Sequence, residues 1–192
     1  MKIYDISQEV FSCVVYPGDP APERQILRSY AAGDVYHLTG LSMCTHNGTH
    51  IDAPFHFLGE GKTVEQMDLS VFVGDCYLAR CAGEISPAEA AEILQKAQGI
   101  PRILLGGALT VTAEAAAVFA GGGICLLGNE GQTVGPENAP MEVHKILLEK
   151  EIALLEGIVL KDIPEGRYFL SDAPLNLAGA DGAPCRAYLI QG

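Results

Sequence analysis

The sequence predicts an α/β fold in a single compact domain, and three observations carry that prediction. Between residues 75 and 127, short apolar runs of strand character alternate with capped helices in the order strand, helix, strand, helix, strand. This order argues for a parallel sheet with crossover helices. With 192 residues and 48% hydrophobic side chains, the chain is long enough for one well-buried core and short for two. Neither internal repeats nor low-complexity tracts interrupt it.

Taken in order, residues 2–16 read as a strand, an interruption and a second strand, followed by the turn Pro17-Gly18-Asp19-Pro20. Residues 21–34 are polar and weakly patterned; alternation resumes at Tyr36 and leads through Leu41 and Met43 into a histidine-rich stretch. Residues 58–63 form a loop and residues 75–81 a strand. Ser86, Pro87 and Glu89 then supply an N-cap, a proline at the first helical position and the glutamate of a capping box. The helix they start runs to Gln98 with Ala90, Ile93, Leu94 and Ala97 on one face and Gly99 as its stop. Residues 102–105 are a strand, Thr112 caps a second helix through Ala120, and residues 124–127 are another strand. That strand runs into a loop carrying Asn129, Glu130 and Gln132, which read either as a plain turn or as substrate and supporting groups at the carboxyl end of a parallel strand. Residues 140–150 form a third helix carrying His144, and residues 167–170 and 184–190 close the chain with strand-like runs.

Twelve Lys and Arg against 24 Asp and Glu give a formal charge of −12, which repels phosphate backbones and anionic membrane surfaces. Neither nucleic acid nor a membrane is therefore an expected partner. The first ten residues hold Lys2, Asp5 and Glu9 and no long apolar run, so a cytoplasmic location is the expectation. Six cysteines without a C-x-x-C pair fit reduced thiols better than a disulfide framework or a zinc knuckle. No dinucleotide, phosphate-loop or G-x-S-x-G signature is present.

The chemistry concentrates in residues 44–57, CTHNGTHIDAPFHF, which hold three of the five histidines. His46, His50, Asp52 and His56 are all even-numbered, so an extended segment turns them to one side. Asn47-Gly48 and Pro54 make a poor helix interior. Imidazole with carboxylate is the ligand set of zinc and its first-row neighbours, each donor lying roughly 2.0–2.2 Å from the ion. Four residues of straight strand span about 13 Å, too far for His46 and His50 to share an ion. Gly48, midway between them, is expected to bend or bulge the chain and bring them together. Cys44 sits close enough to be watched, while His37 lies outside the cluster and reads as an ordinary histidine. His144 and Glu156 are twelve residues apart; in one continuous helix they would stand about 18 Å apart, so sharing an ion requires the helix to end between them.

The cluster resembles the H-x-G-T-H-x-D-x-P-x-H signature of the cyclase-like metal-dependent hydrolases, the family that includes bacterial kynurenine formamidases and isatin hydrolases. All its fixed positions stand between His46 and His56. The likeness extends to Asp5-Ile6-Ser7, to the P-G-D turn at Pro17, and to a closing P-x-R-A strand at Pro184, Arg186 and Ala187. The resemblance implies a cyclase-like fold, a mixed sheet with a β-barrel-like core and flanking helices, assembled as a homodimer or homotetramer. It implies that His46, His50 and Asp52 hold one metal ion, with Asp52 bridging to a second that His144 and Glu156 complete, and that His56 is the proton donor and acceptor. Kynurenine formamidases of the family carry a substrate-holding tryptophan near the P-G-D turn. This chain has no tryptophan, and Tyr16 occupies that neighbourhood as the candidate substrate-binding residue.

The expected activity is hydrolysis of an amide, lactam or ester bond of a small molecule, arylformamidase-like, by water activated on one or two divalent ions, zinc first and manganese as the alternative. The other class consistent with these ligands is a metal-dependent binding or sensing protein without turnover. An intact His56 separates the two in favour of the enzyme.

Overall fold

The computed structural model describes all residues, Met1–Gly192. Its strands and helices follow in the order β1 (Lys2–Asp5), β2 (Glu23–Arg28), β3 (Leu38–Ser42), β4 (His50–Asp52), β5 (Val73–Arg80), β6 (Gly83–Ile85), α1 (Pro87–Ala97), β7 (Arg102–Gly106), β8 (Leu109–Val111), α2 (Ala113–Gly121), β9 (Leu126–Asn129), α3 (Met141–Leu148), β10 (Ala153–Glu156), β11 (Gly166–Ser171), β12 (Gly182–Pro184) and β13 (Tyr188–Gln191). Nine strands form one mixed sheet, ordered β1-β13-β11-β5-β7-β9-β10-β4-β12, curled into a half-barrel that is open between its edge strands. Of the parallel centre β5-β7-β9-β10, the strand–helix alternation predicts β5, β7 and β9, and β10 joins them beyond the alternating region.

Alternation decides which side chains meet which layer. Tyr77, Ala79, Ile103, Leu105, Leu127 and Leu154 face the helices and pack with Ala90, Ile93, Ala115, Phe119, Val143 and Leu147. Their neighbours Cys76, Leu78, Leu104, Leu126, Ala153 and Leu155 turn into the curled side against Ile6, Phe72 and Leu189. Both faces of the parallel strands are thus covered, which is why they read as continuous apolar runs. The capping box holds at α1, where Ser86 and Glu89 exchange side-chain-to-backbone hydrogen bonds, and Thr112 caps α2. No helix is long and apolar enough to cross a membrane.

Three local expectations are corrected. Residues 13–16 are not a strand: after a 3-10 turn at Val10–Ser12, the Val14 amide donates to the Gln8 side chain at 2.8 Å, so a side chain replaces a ladder partner. Residues 21–34 contain β2, paired antiparallel with β3 in a hairpin apart from the main sheet. Every residue of β2 is exposed, so neither face carries a period-two signal. The closing run divides into β12 and β13, with Arg186 and Ala187 between them. There the two ends of the chain meet: Arg186 Nε donates to Asp5 at 3.0 Å, and the Ser7 hydroxyl donates to the Ala187 carbonyl at 3.0 Å.

Candidate metal centre

β4 is the strand that carries the cluster. His50 and Asp52 share its one face, while Ile51 between them points into the apolar interior. Gly48 bends the chain with φ +67, and a Cβ there would meet the Cys13 Cβ at 3.1 Å. The expected bend is present, and it has a second use: the Gly48 carbonyl accepts from His50 Nδ1 at 3.0 Å. Thr49 donates to the Gly157 carbonyl at 2.7 Å, and the Asn47 side chain accepts from the Cys44 amide at 2.8 Å, so the motif's polar positions hold the bend rather than reach the cavity. Pro54 opens a 3-10 turn that ends at His56.

The remaining donors arrive on α3 and β10. α3 ends at Leu148, and the chain turns back through Glu151 (φ +57) into β10. β10 pairs antiparallel with β4 in the register Glu156 opposite His50 and Leu154 opposite Asp52. The helix therefore stops between His144 and Glu156, as sharing one site requires. His144 Nδ1 lies 2.8 Å from the Pro140 carbonyl one turn earlier. Like His50 it has a backbone carbonyl on Nδ1, which makes Nε2 the nitrogen that both rings turn toward the carboxylates and would offer to an ion.

Asp52 is the hub. Its Oδ1 lies 2.8 Å from His46 Nδ1 and 3.3 Å from His50 Nε2, and its Oδ2 lies 3.5 Å from His144 Nε2. Glu156 Oε1 is 3.3 Å from His144 Nε2, and its Oε2 is 3.7 Å from His50 Nε2. All five ligand candidates thus converge. His50, Asp52, His144 and Glu156 are each at most 2% exposed. Donor atoms of His50, Asp52 and Glu156 form one close group, and those of His46, Asp52 and His56 another. His56 is therefore near enough to ligate as well as to transfer protons.

Two carboxylates in a buried pocket demand a counter-charge. Burial would raise Asp52, yet the imidazoles of His144, His46 and His50 around it hold it well below the ordinary carboxylate range. Burial would lower His46 and His144, yet the carboxylates around them (Asp181 and Asp52 for the first, Asp52 and Glu156 for the second) push both up to about 10. The field that favours protons here favours a divalent cation equally, and binding one releases protons. Asp52 Oδ2 is buried with no hydrogen-bond partner. With imidazole and carboxylate as the donors, the residues fit a first-row divalent ion.

The centre opens into a cavity of about 460 Å³ lined by Tyr16, Asp19, Cys44, Phe57, Gln132 and Thr133 besides the donors. The Tyr16 hydroxyl donates to the Glu137 carbonyl at 2.7 Å. Cys44 lines the cavity but belongs to neither donor group. In the loop after β9, Gln132 reaches the cavity, whereas Asn129, the last residue of β9, donates to the Thr133 carbonyl at 2.8 Å. Glu130 points elsewhere, accepting from the Gly107 and Leu160 amides at 2.7 and 2.8 Å beside a separate open cavity. His37 packs edge-on against Tyr30, away from the centre.

One site residue escaped sequence reasoning. Asp181, just before β12, lies 2.8 Å from His46 Nε2 and 3.2 Å from His56 Nδ1, and those hydrogen bonds hold it well below the usual carboxylate range. Its only signal was an acidic residue beside Gly182 near the P-x-R-A end, 125 positions from His56.

Residues 4–136 match the family model described as "Putative cyclase". The chain is 31% identical to the kynurenine formamidase of Erythrobacter litoralis, over 98% of this chain and 93% of that relative. It is 30% identical to that of Sphingopyxis alaskensis, over 98% and 97%. Among solved structures, a potential metal-dependent hydrolase with cyclase activity superposes with a TM-score of 0.83 at 29% identity, over 98% of this chain and 96% of that one. Isatin hydrolase A from Labrenzia aggregata shares the fold with a TM-score of 0.85 at 20% identity, over 98% and 93%. Matched by the family model across most of its length and by relatives along nearly all of it, the chain belongs to the cyclase family.

Proposed function

We propose that this chain is a metal-dependent hydrolase that cleaves an amide, lactam or ester bond of a small molecule, with arylformamidase-like chemistry. The observation that carries it is the buried quartet His50, Asp52, His144 and Glu156 at the wall of a cavity of about 460 Å³, with His56 beside it. Pockets of roughly 300–1,000 Å³ suit small molecules. Kynurenine formamidase relatives at 30–31% identity favour turnover over binding alone. Tyr16 and Phe57 supply aromatic surface for the substrate, without the larger indole face of a tryptophan.

His46, His50 and Asp52 would hold one ion and Asp52, His144 and Glu156 a second, zinc by preference and manganese as the alternative. A bound divalent ion would supply Lewis acidity, bringing the pKa of water down to about 7 and polarising a carbonyl. The chain's residues do the rest. Asp52 and Glu156 provide the negative charge, and the carbonyls of Gly48 and Pro140 hold the rings of His50 and His144. His56 carries the proton to the departing nitrogen or oxygen, the general acid–base role that imidazole fills most often.

The test is to load the protein with zinc or manganese, count bound ions by elemental analysis, and screen formamides, lactams and lactones for hydrolysis. Turnover that chelation abolishes and metal restores is the expected result. Fully loaded protein that hydrolyses none of the three classes refutes the reading.

A homodimer or homotetramer belongs to the same proposal. The hairpin β2–β3 leaves Ile26, Leu38 and Leu41 at 46–73% exposure, and a lone two-stranded hairpin is marginal in water. Light scattering on a sizing column measures the state. A cytoplasmic location is supported by six free cysteines.

A further inference from the structure

We infer that Asp181 is a positioning residue, which fixes the tautomer and orientation of His56 and braces His46 on the side away from Asp52. A single carboxylate oxygen does both: Asp181 Oδ2 stands 3.2 Å from His56 Nδ1 and 2.8 Å from His46 Nε2. The other oxygen, Oδ1, accepts from the Thr45 hydroxyl at 3.0 Å, so the carboxylate cannot rotate freely. The two rings lie nearly stacked, with centroids 4.0 Å apart and planes tilted by 32°.

The backbone sets this geometry independently of the side chain. The Ala53 amide donates to the Asp181 carbonyl at 2.9 Å, and Gly182 sits opposite Asp52 in the antiparallel register of β12 with β4. The residue ahead of Gly182 is thereby anchored beside the motif strand, although it comes from the far end of the chain.

An ionised carboxylate only accepts hydrogen bonds. Both imidazoles must therefore donate N–H to it. His56 donates from Nδ1, which makes Nε2 the nitrogen that exchanges the proton with substrate. His46 donates from Nε2 to Asp181 and, without an ion, from Nδ1 to Asp52 at 2.8 Å, so Nδ1 is the nitrogen an ion beside Asp52 would take. A carboxylate behind a catalytic or ligating histidine fixes ring orientation, and its loss typically costs roughly 10–100-fold. The inference rests on the reading of His56 as the proton-transfer group, and its test separates the two.

The experiment uses the full-length, zinc-loaded protein with Asp181→Ala and Asp181→Glu, with Asp181→Asn as the shape-keeping variant should the alanine fail to fold. Long-range proton–nitrogen NMR reads the His56 tautomer without any turnover. Wild type should show the Nδ1–H form, and D181A should lose it. With a formamide substrate and saturating zinc, D181A should lower kcat by roughly 10–100-fold with KM within about twofold. D181E should recover part of the loss, and H56A/D181A should be slower than H56A by much less than the single-variant factor, because groups acting as a unit are not additive and only the brace on His46 remains to be lost. An unchanged His56 tautomer in D181A overturns the inference. So does a kcat loss that excess zinc repairs fully, or a double variant slower than H56A by the whole single-variant factor. Full activity in H56A would instead remove the proton-transfer reading, leaving the tautomer measurement to decide what Asp181 does.

Discussion

Gly157→Ala tests whether the centre depends on two backbones approaching more closely than side chains allow. Gly157 follows Glu156 with φ +67, and a Cβ there would stand 2.2 Å from the Gly48 carbonyl oxygen and 2.4 Å from Gln132 Nε2. Alanine in this left-handed conformation costs roughly 1–2 kcal/mol. Relieving the overlap costs a further 1–3 kcal/mol or so, the usual range for overpacking. The Gly157 carbonyl, which accepts from Thr49 at 2.7 Å and from the Gln8 side chain at 2.8 Å, must also move. Destabilisation of about 2–5 kcal/mol follows. The Gly48 carbonyl that the new Cβ would push is the one that holds His50 Nδ1, so zinc affinity should fall as well, by roughly the 10–100-fold typical of a lost outer partner. Gly48→Ala is the control: its φ is also +67, but its nearest neighbour is the Cys13 Cβ at 3.1 Å, so little beyond the conformational cost of about 1–2 kcal/mol is expected. Urea unfolding of the metal-free proteins and zinc titration measure both quantities. If G157A proves no less stable than G48A, with wild-type zinc affinity, the argument from close approach fails.

Three other outcomes are expected. His56→Ala should keep its metal and lose turnover by roughly 10²–10⁴-fold, whereas His50→Ala should lose metal and activity together; metal loss in H56A would make His56 a ligand. Two ions per chain should bind, and His144→Ala should weaken the second; a single ion with unchanged affinity in that variant removes the two-ion arrangement. Asp172 is fully buried with neither carboxylate oxygen hydrogen-bonded, and burial raises it well above its ordinary 3.8, only partly offset by Arg102. Its folded form keeps a proton that the unfolded form releases. Below pH 3.8 it therefore costs nothing through titration, and each pH unit from there up to the raised folded value removes about 1.36 kcal/mol of stability. Asp172→Asn should flatten that slope in urea midpoints measured from pH 4 to 7, and parallel slopes would refute the assignment.

What the sequence determined by itself was local in origin. The parallel strands β5, β7 and β9 were legible because strands buried on both faces must be apolar throughout, and α1 and α2 because their caps are written in Ser86, Glu89 and Thr112. The bend at Gly48 and the shared face of His50 and Asp52 follow from periodicity and from what a glycine permits. The twelve residues from His144 to Glu156 set a condition that α3 meets by ending at Leu148. Tertiary structure decided the rest. The β2–β3 hairpin buries no face, so no pattern announced it. Glu130 and Gln132 are two residues apart in one loop, yet only the packing of β9 against its neighbours sent the second to the cavity and the first to the Gly107 and Leu160 amides. Asp181 reaches His56 only because β12 pairs with β4 across a separation of 125 positions. A strand pairing of that range is selected by the energy of the whole sheet, and no residue near Asp181 in sequence encodes it.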